Sequence, residues 1–326
     1  MIACAHPRAA GDRLRCTSLI ALALGATAWA GCGGHNGPEK NPRGKLPPAY
    51  QVPARAETAG DSLMALAPSG ADIALEVDIA RLRANPVVGP LIAQLASTSL
   101  ERAAGPIAGV QGDWLDATDA LLLCAYHVGG ASAVTITLIR GSAPIGARLD
   151  PRTSVLADAD WVARVRAVAA GDAPPLADDR AFMRIRTHAM PAAAQGGFLR
   201  IAARLGFEAR VALAGRLDLD AVPAALSVWA DVADDFAVIA QLDGTEPDDG
   251  ETLKAGAAAA VDRLAQVPWI RARYLHFILR TVDISARDTT ARMTLVIGPK
   301  RLHNLVARAM RSLTGDSHTQ LSPRSP

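Results

Sequence analysis

Several stretches of this 326-residue chain alternate apolar and polar side chains with a period of two, and no other feature constrains the fold as much. In ADIALEVDIARL, beginning at Ala71, the residues Ile73, Leu75, Val77 and Ile79 fall on one side, and Glu76 and Asp78 fall on the other. That is the pattern of a half-buried strand with its polar side outward. GFLRIAARL repeats it, with Leu199, Ile201, Ala203 and Leu205 against Arg200 and Arg204. Such alternation suits an antiparallel sheet better than a parallel one, whose strands are apolar on both sides. DALLLCAY and SAVTITLIRG, joined through HVGGA, read as a hairpin. So do AALSVWADV and DFAVIAQLD, turning at Ala233-Asp234-Asp235. GARL and TSVLA form a shorter pair around Asp150-Pro151, and TVDISARD and TARMTLVIG are further strands.

Helical periods separate these strands. Asn85-Pro86 is a helix start, followed by Val87, Val88, Leu91, Ile92 and Leu95 on one face. Asp158 stands as a cap for ADWVARVRAVAAG, and Gly171 ends it. RAFMRIRTHAM and IRARYLHFILR are short amphipathic segments, and the alanines of FEARVALAG favour helix over strand. Asp249 stands as a cap for ETLKAGAAAAVDRLAQV. Pro299 opens KRLHNLVARAMRSL, with Leu302, Leu305, Val306, Ala309 and Met310 inward, and Gly315 closes it.

Set side by side, residues 62–175 and 176–314 both run strand, helix, hairpin, strand pair, helix, and the second has an extra long helix between its hairpins. Sequence identity between them is slight, so an internal duplication and two merely similar patterns both fit. The expected class is α+β: antiparallel sheets with helices packed on one face, in two similar lobes.

The front of the chain is an address. Arg8, Arg13 and Arg15 precede an apolar run from Thr17 to Ala30, followed by Gly31 and Cys32. Fourteen residues are too few to span a bilayer, and the layout is that of a cleaved export signal covering residues 1–31. Small residues directly before Cys32 resemble the lipobox of bacterial lipoproteins, although Trp29 stands where that family usually has Leu. The resemblance implies cleavage before Cys32 and acylation of that residue. It places the protein in the cell envelope, on the periplasmic side, anchored by acyl chains in the outer membrane before the inner. An ordinary secretory signal with a chance cysteine is the plainer reading of the same residues. Residues 32–61 are rich in Pro, Gly and charge and have no apolar period, which reads as a disordered tether. Residues 315–326 read as a disordered tail.

LAPSGADIALEVDIARLR, at 66–83, and ADDRAFMRI, at 177–185, resemble a group of uncharacterised bacterial lipoproteins in which a similar start follows lipobox and tether. The likeness is loose and spans about 62–313. It implies a fold and a location, and no activity.

Little in the chain points to chemistry. Removal of Arg8, Arg13, Arg15 and Asp12 leaves equal numbers of basic and acidic residues, without the basic excess of a nucleic-acid binder. Cys124 is then the one thiol besides Cys32, inside an apolar strand, and reads as a small core residue. Gly60-Asp61-Ser62-Leu63 spells the signature of a lipase and esterase family. ARAETA before it is no core strand, however, and no histidine has Asp three places earlier to complete the family's triad. No histidines stand in ligand spacing, so neither a metal nor a cofactor is expected. The acidic run from Asp243 to Glu251 lacks the alternating ligands of a calcium loop. Lys300, Arg301, Arg308 and Arg311 form a basic outer face on the last helix, either plainly solvated or attracted to anionic lipid heads or glycan.

The expectation is a lipid-anchored, non-enzymatic module that binds an envelope protein, a lipid or a glycan. The alternative is an envelope hydrolase. That reading requires polar side chains drawn from Glu76, Asp78, His127, His188 and Asp283 to converge in a pocket.

Overall fold

A computed structural model describes residues 58–97, 117–142, 145–192, 194, 196–217, 221–272 and 276–315. Cys32, the export segment and nearly all of the presumed tether lie outside them. The chain enters through helix α1 (Ala59–Met64) and strand β1 (Ile73–Asp78), then helices α2 (Ile79–Ala84) and α3 (Gly89–Ser97). Strands β2 (Thr118–Tyr126), β3 (Val134–Gly141), β4 (Ala147–Arg148) and β5 (Thr153–Leu156) follow, then α4 (Ala159–Ala170). The second half has α5 (Arg180–His188), β6 (Leu199–Arg204), α6 (Phe207–Leu217), β7 (Ala225–Val232) and β8 (Phe236–Asp243). It continues with α7 (Asp249–Gln266), α8 (Pro268–Ala272), α9 (His276–Leu279), β9 (Asp283–Arg287), β10 (Thr290–Ile297) and α10 (Pro299–Gly315).

The fold is α+β, and the two halves do not build separate sheets. The ten strands among the described residues form one antiparallel sheet in the order β4-β5-β3-β2-β1-β6-β7-β8-β10-β9. The seam is β1 against β6, with Glu76 directly opposite Arg200. Outward from that seam both halves follow the same sequence of strands: first, second, third, fifth, fourth. Pairing β1 with β6 removes two edges that would otherwise present unpaired backbone groups.

The register assigns every side chain to a face. Ala74 and Glu76 share one face with Leu122, Cys124, Ile136, Leu138, Arg200 and Trp229. Leu75 and Val77 share the other with Leu121, Leu123, Ile201 and Val228. The largest apolar cluster lies on the Glu76 face, where α1, α4 and α5 bring Leu63, Met64, Trp161, Val165 and Phe182 onto Ala74, Leu122 and Cys124. The second cluster lies on the Leu75 face of the other half, where Val88, Leu91, Leu302 and Leu305 meet Val232, Phe236, Leu295 and Ile297. Helices therefore cover opposite faces at the two ends of the sheet, and the expectation of one covered face does not hold for the whole. The reason is parity: α4 follows a strand whose Val155 lies on the Glu76 face, while α10 packs on Leu295 and Ile297, which lie on the Leu75 face.

Three local expectations also change. The fold begins before Ser62, because Thr58 and Asp61 close a capping box on α1 and Asp61 reaches an arginine of the second half. Asp249 is inside α7 and gathers the preceding loop, accepting from the Thr245 and Glu246 N–H groups at 2.7 and 2.8 Å. Asp158 holds the cap position of α4 without a side-chain bond. Asn85 does cap as its sequence suggests. Its Oδ1 accepts from Val87 and Val88, and its amide donates to the Val232 and Ala233 carbonyls, which ties the α2–α3 corner to the β7–β8 turn.

At that same turn Asp235 is almost fully buried, and its Oδ1 has no partner among the described residues. Burial, and then the carboxylates of Asp234 and Asp231, push its pKa up to about 6. The folded-state value lies above the unfolded one, so the penalty is complete above about pH 6 and disappears near pH 3.8. Asp235→Asn should raise stability at pH 8 by on the order of 2 kcal/mol, with the gain vanishing by pH 4 in urea titrations. An equal effect at both pH values would show that ionisation at this position is not the cause.

Candidate functional site

Two features of the sheet centre are candidates for function: the charged seam on one face and an apolar strip on the other. Glu76 and Arg200 project from adjacent strands onto the covered face. Arg186, on α5, grips the Glu76 carboxylate through Nε and Nη2, the latter at 2.8 Å from Oε2. Its Nη2 also reaches Asp61 Oδ1 at 2.5 Å. Arg200 Nη2 lies 2.9 Å from Glu76 Oε2 and donates to Thr58 Oγ1 at 2.6 Å. Both carboxylates come from the first half and both guanidinium groups from the second, so the quartet is neutral and bridges the halves. Gly60 makes room for it, because a Cβ there would come within 2.1 Å of Glu76 Oε2.

Desolvation opposes charge on Arg186, yet its bonds to Glu76 and Asp61 outweigh that and hold its pKa above the ordinary value. Asp61 is likewise desolvated, and Arg186, the Thr58 N–H and Arg200 pull its pKa below the usual range. Arg200 is the strained member. Burial, with Arg186 as a like-charged neighbour, lowers its pKa, and its Nε has no partner. The quartet's carboxylates are engaged by the two guanidinium groups and by Thr58, so it works as a clamp.

On the opposite face, Leu123, Leu75, Ile201 and Val228 stand in one cross-strand row over β2, β1, β6 and β7, with Leu121 and Val77 beside them. All six are half-buried, whereas Ala74, Leu122 and Cys124 on the clamp face are at most 2% exposed. At one end α3 and α10 pack around Val232 of β7 and Phe198, just before β6. The other is covered by α6, through Ala209 and Leu213 on Ala203 and Leu226. Phe207 and Val211, one turn apart on α6, are 73% and 56% exposed. The result is an apolar trough between two helix-covered borders.

The residues picked out from the sequence are scattered. Glu76 is in the clamp, and Asp78 caps α2 by accepting from the Arg81 N–H at 2.8 Å. His127 sits in the β2–β3 turn at φ 54, exposed. His188, at the end of α5, meets Asp243 at 3.0 Å, and Asp283 is exposed on edge strand β9. They do not converge, and among the described residues no group of His, Cys, Asp and Glu could hold a metal. Cys124 is fully buried, and burial raises its thiol pKa far beyond the reactive range. Ser62 donates to the Ala59 carbonyl and accepts from Arg140; no imidazole or carboxylate bonds it among the described residues. Lys300, Arg301, Arg308 and Arg311 lie on α10 away from its buried Leu302, Leu305 and Val306, with Lys300 and Arg311 exposed and the other two part-buried. Nothing in the sequence announced the Arg186 and Arg200 roles. A period-two pattern reads such residues as solvated, and only strand pairing shows otherwise.

No protein family and no curated protein matches this sequence. The chain is similar to two solved structures, crystal forms I and III of TP0453. The TM-scores are 0.36 and 0.40 and the identities 11% and 12%; the matches cover 76% and 75% of this chain and 96% and 97% of those chains. At such values no residue role transfers.

Removing one member of the clamp leaves buried charge uncompensated. Arg186→Ala should cost about 3–5 kcal/mol in urea unfolding at pH 7. Arg186→Lys should recover only part of it, since an ammonium cannot make the paired contact to Glu76. A loss below about 1 kcal/mol for Arg186→Ala would show that the halves are held together by other means.

Proposed function

We propose that this chain is a membrane-anchored, non-enzymatic binding module of the cell envelope, and that its ligand is apolar, an acyl chain of a lipid. The observation that carries the reading is the trough over β2, β1, β6 and β7. Its six half-buried aliphatic side chains offer dispersion and burial but no hydrogen bonds, which favours a hydrocarbon over a glycan. The helical borders leave a strip rather than a flat face, which suits a narrow ligand better than a protein surface. The basic arc of α10 is compatible with approach to anionic head groups. Cys32, after the export segment of residues 1–31, supplies the anchor, and the carboxylates and histidines named as hydrolase candidates do not converge among the described residues.

Two measurements test this. Cys32→Ala should move the protein from the membrane fraction to the soluble fraction and abolish incorporation of labelled palmitate, because two or more acyl chains are what make such attachment stable. Identical fractionation without labelling would remove the anchor from the proposal. A fluorescent fatty acid should bind the full chain saturably, and Ile201→Glu and Val228→Glu, each checked for a native melt, should weaken it at least tenfold. Unchanged affinity in folded variants would rule out the trough as the ligand site.

A further inference from the structure

A separate cavity of about 500 Å³ lies at the other side of the sheet, where α1 meets the β4–β5 turn. Ser62, Leu63 and Leu66 form one wall, and Arg140 with the turn residues Asp150–Thr153 forms the other. The size is within the range of small-molecule sites.

Its charges are unevenly engaged. Arg152 is paired with Asp119 at 2.6 Å. Asp150 is folded into its own turn, accepting from the Arg152 N–H at 2.7 Å. Desolvation works against its charge, but that bond, those from Thr153 and the nearby Arg140 hold its pKa below the usual range. Arg140 differs. It is part-buried on the clamp face at the end of β3, and among the described residues its one hydrogen bond is Nη1 to Ser62 Oγ at 2.6 Å. That hydroxyl has given its own proton to the Ala59 carbonyl, so it is locked as a neutral acceptor. No carboxylate lies within ion-pair distance of Arg140 among the described residues. The two fully buried arginines of the clamp face, Arg186 and Arg200, each have a carboxylate in contact.

A part-buried guanidinium bears a desolvation cost that one neutral hydroxyl does not offset. Its remaining N–H groups are not among the buried unpaired atoms, so they open toward solvent in the cavity. That fork is shaped to accept two oxygens of one anion. We propose that this cavity binds a small amphiphilic oxyanion, a carboxylate or phosphate held by Arg140, with its apolar part against Leu63, Leu66 and Pro151. Asp150 stands on the opposite wall and weakens the site, so it sets the side on which the anion sits. The site is independent of the trough, which lies on the other face.

The test uses the purified full chain at low ionic strength, with hexanoate, inorganic phosphate and phosphatidylglycerol-containing vesicles as probes, read by calorimetry and vesicle co-sedimentation. Hexanoate should bind more tightly than phosphate. Arg140→Gln, with a native melt, should weaken binding at least tenfold. Asp150→Asn, which keeps an acceptor for the turn, should tighten it severalfold, and a purely structural Arg140 would not produce that gain. Arg140-dependent binding of vesicles alone would identify a lipid head group as the oxyanion, while binding of the soluble probes identifies a free one. If none of the probes binds in an Arg140-dependent way, or if Asp150→Asn leaves affinity unchanged, the proposal is overturned.

Discussion

The rest of the molecule is arranged around four charges buried at the β1–β6 seam. Taking each ion out of water costs several kcal/mol, and only close, fully used geometry offsets that. Here Glu76 is held by two guanidinium groups and Asp61 by the same pair, with Arg186 at 2.5 Å and Arg200 at 3.7 Å. What this gives the fold is selection among arrangements. A slip of one residue would move Glu76 to the opposite face from Arg200. A slip of two would set it against Phe198 or Ala202 and leave buried arginines without carboxylates. An apolar seam of β-branched residues would not discriminate so sharply. Because both acids belong to one half and both bases to the other, neither half can satisfy its own charges.

That seam also explains why the two faces differ. The clamp needs cover to stay dry, so α1 and α5 lie over it and carry two of its four members, Asp61 and Arg186. The neighbouring residues on that face are correspondingly small or tightly packed, such as Ala74 and Ala202 at 2% exposure. On the other face the same strands present aliphatic side chains, and helices reach only their two ends. At the centre of the sheet the face carrying the charges is covered and the aliphatic face is half-open, which inverts the usual layout, and the open side is where a ligand gains most from burial.

The inversion marks the limit of what could be read from sequence. Strand and helix positions were legible because period two and period 3.6 are local properties. The hairpins, the short β4–β5 pair, the α6 helix and the extra α7 helix all follow from them. The pattern also sorted Leu75 from Glu76 correctly onto two faces. It could not say which face is covered, since that depends on Arg186, more than a hundred residues away in the chain. The pairing of β1 with β6 was equally invisible, because alternation leaves a strand's neighbour undetermined. Asp61 looked like part of a tether for the same reason: its partners Arg186 and Arg200 are remote, and its local surroundings are polar. Asp249 was misread in the opposite way, because a helix-start aspartate can serve the loop before it as well as the helix after it.

The distribution of satisfied and unsatisfied polar groups separates structural from functional chemistry in this molecule. Asp231 is almost wholly buried and is held by Arg81 Nε and Nη2 at 2.7 and 2.5 Å. Asp119 is shared by Arg83 and Arg152, and Asp179 caps α5. Each of these carboxylates has its valence filled by groups that also locate a helix or a turn, and a residue so engaged is poor at moving protons. That is a physical reason why these three carboxylates serve the fold. The groups left with capacity are of a different kind. Two of them face open space: the fork of Arg140, beside a neutral hydroxyl, and the aliphatic strip around Ile201. Neither activates a nucleophile, and each lowers its free energy by acquiring a contact, one ionic and one apolar. On the proposed reading, the carboxylates at the seam join the two halves, and the contact with a ligand falls to these two surfaces.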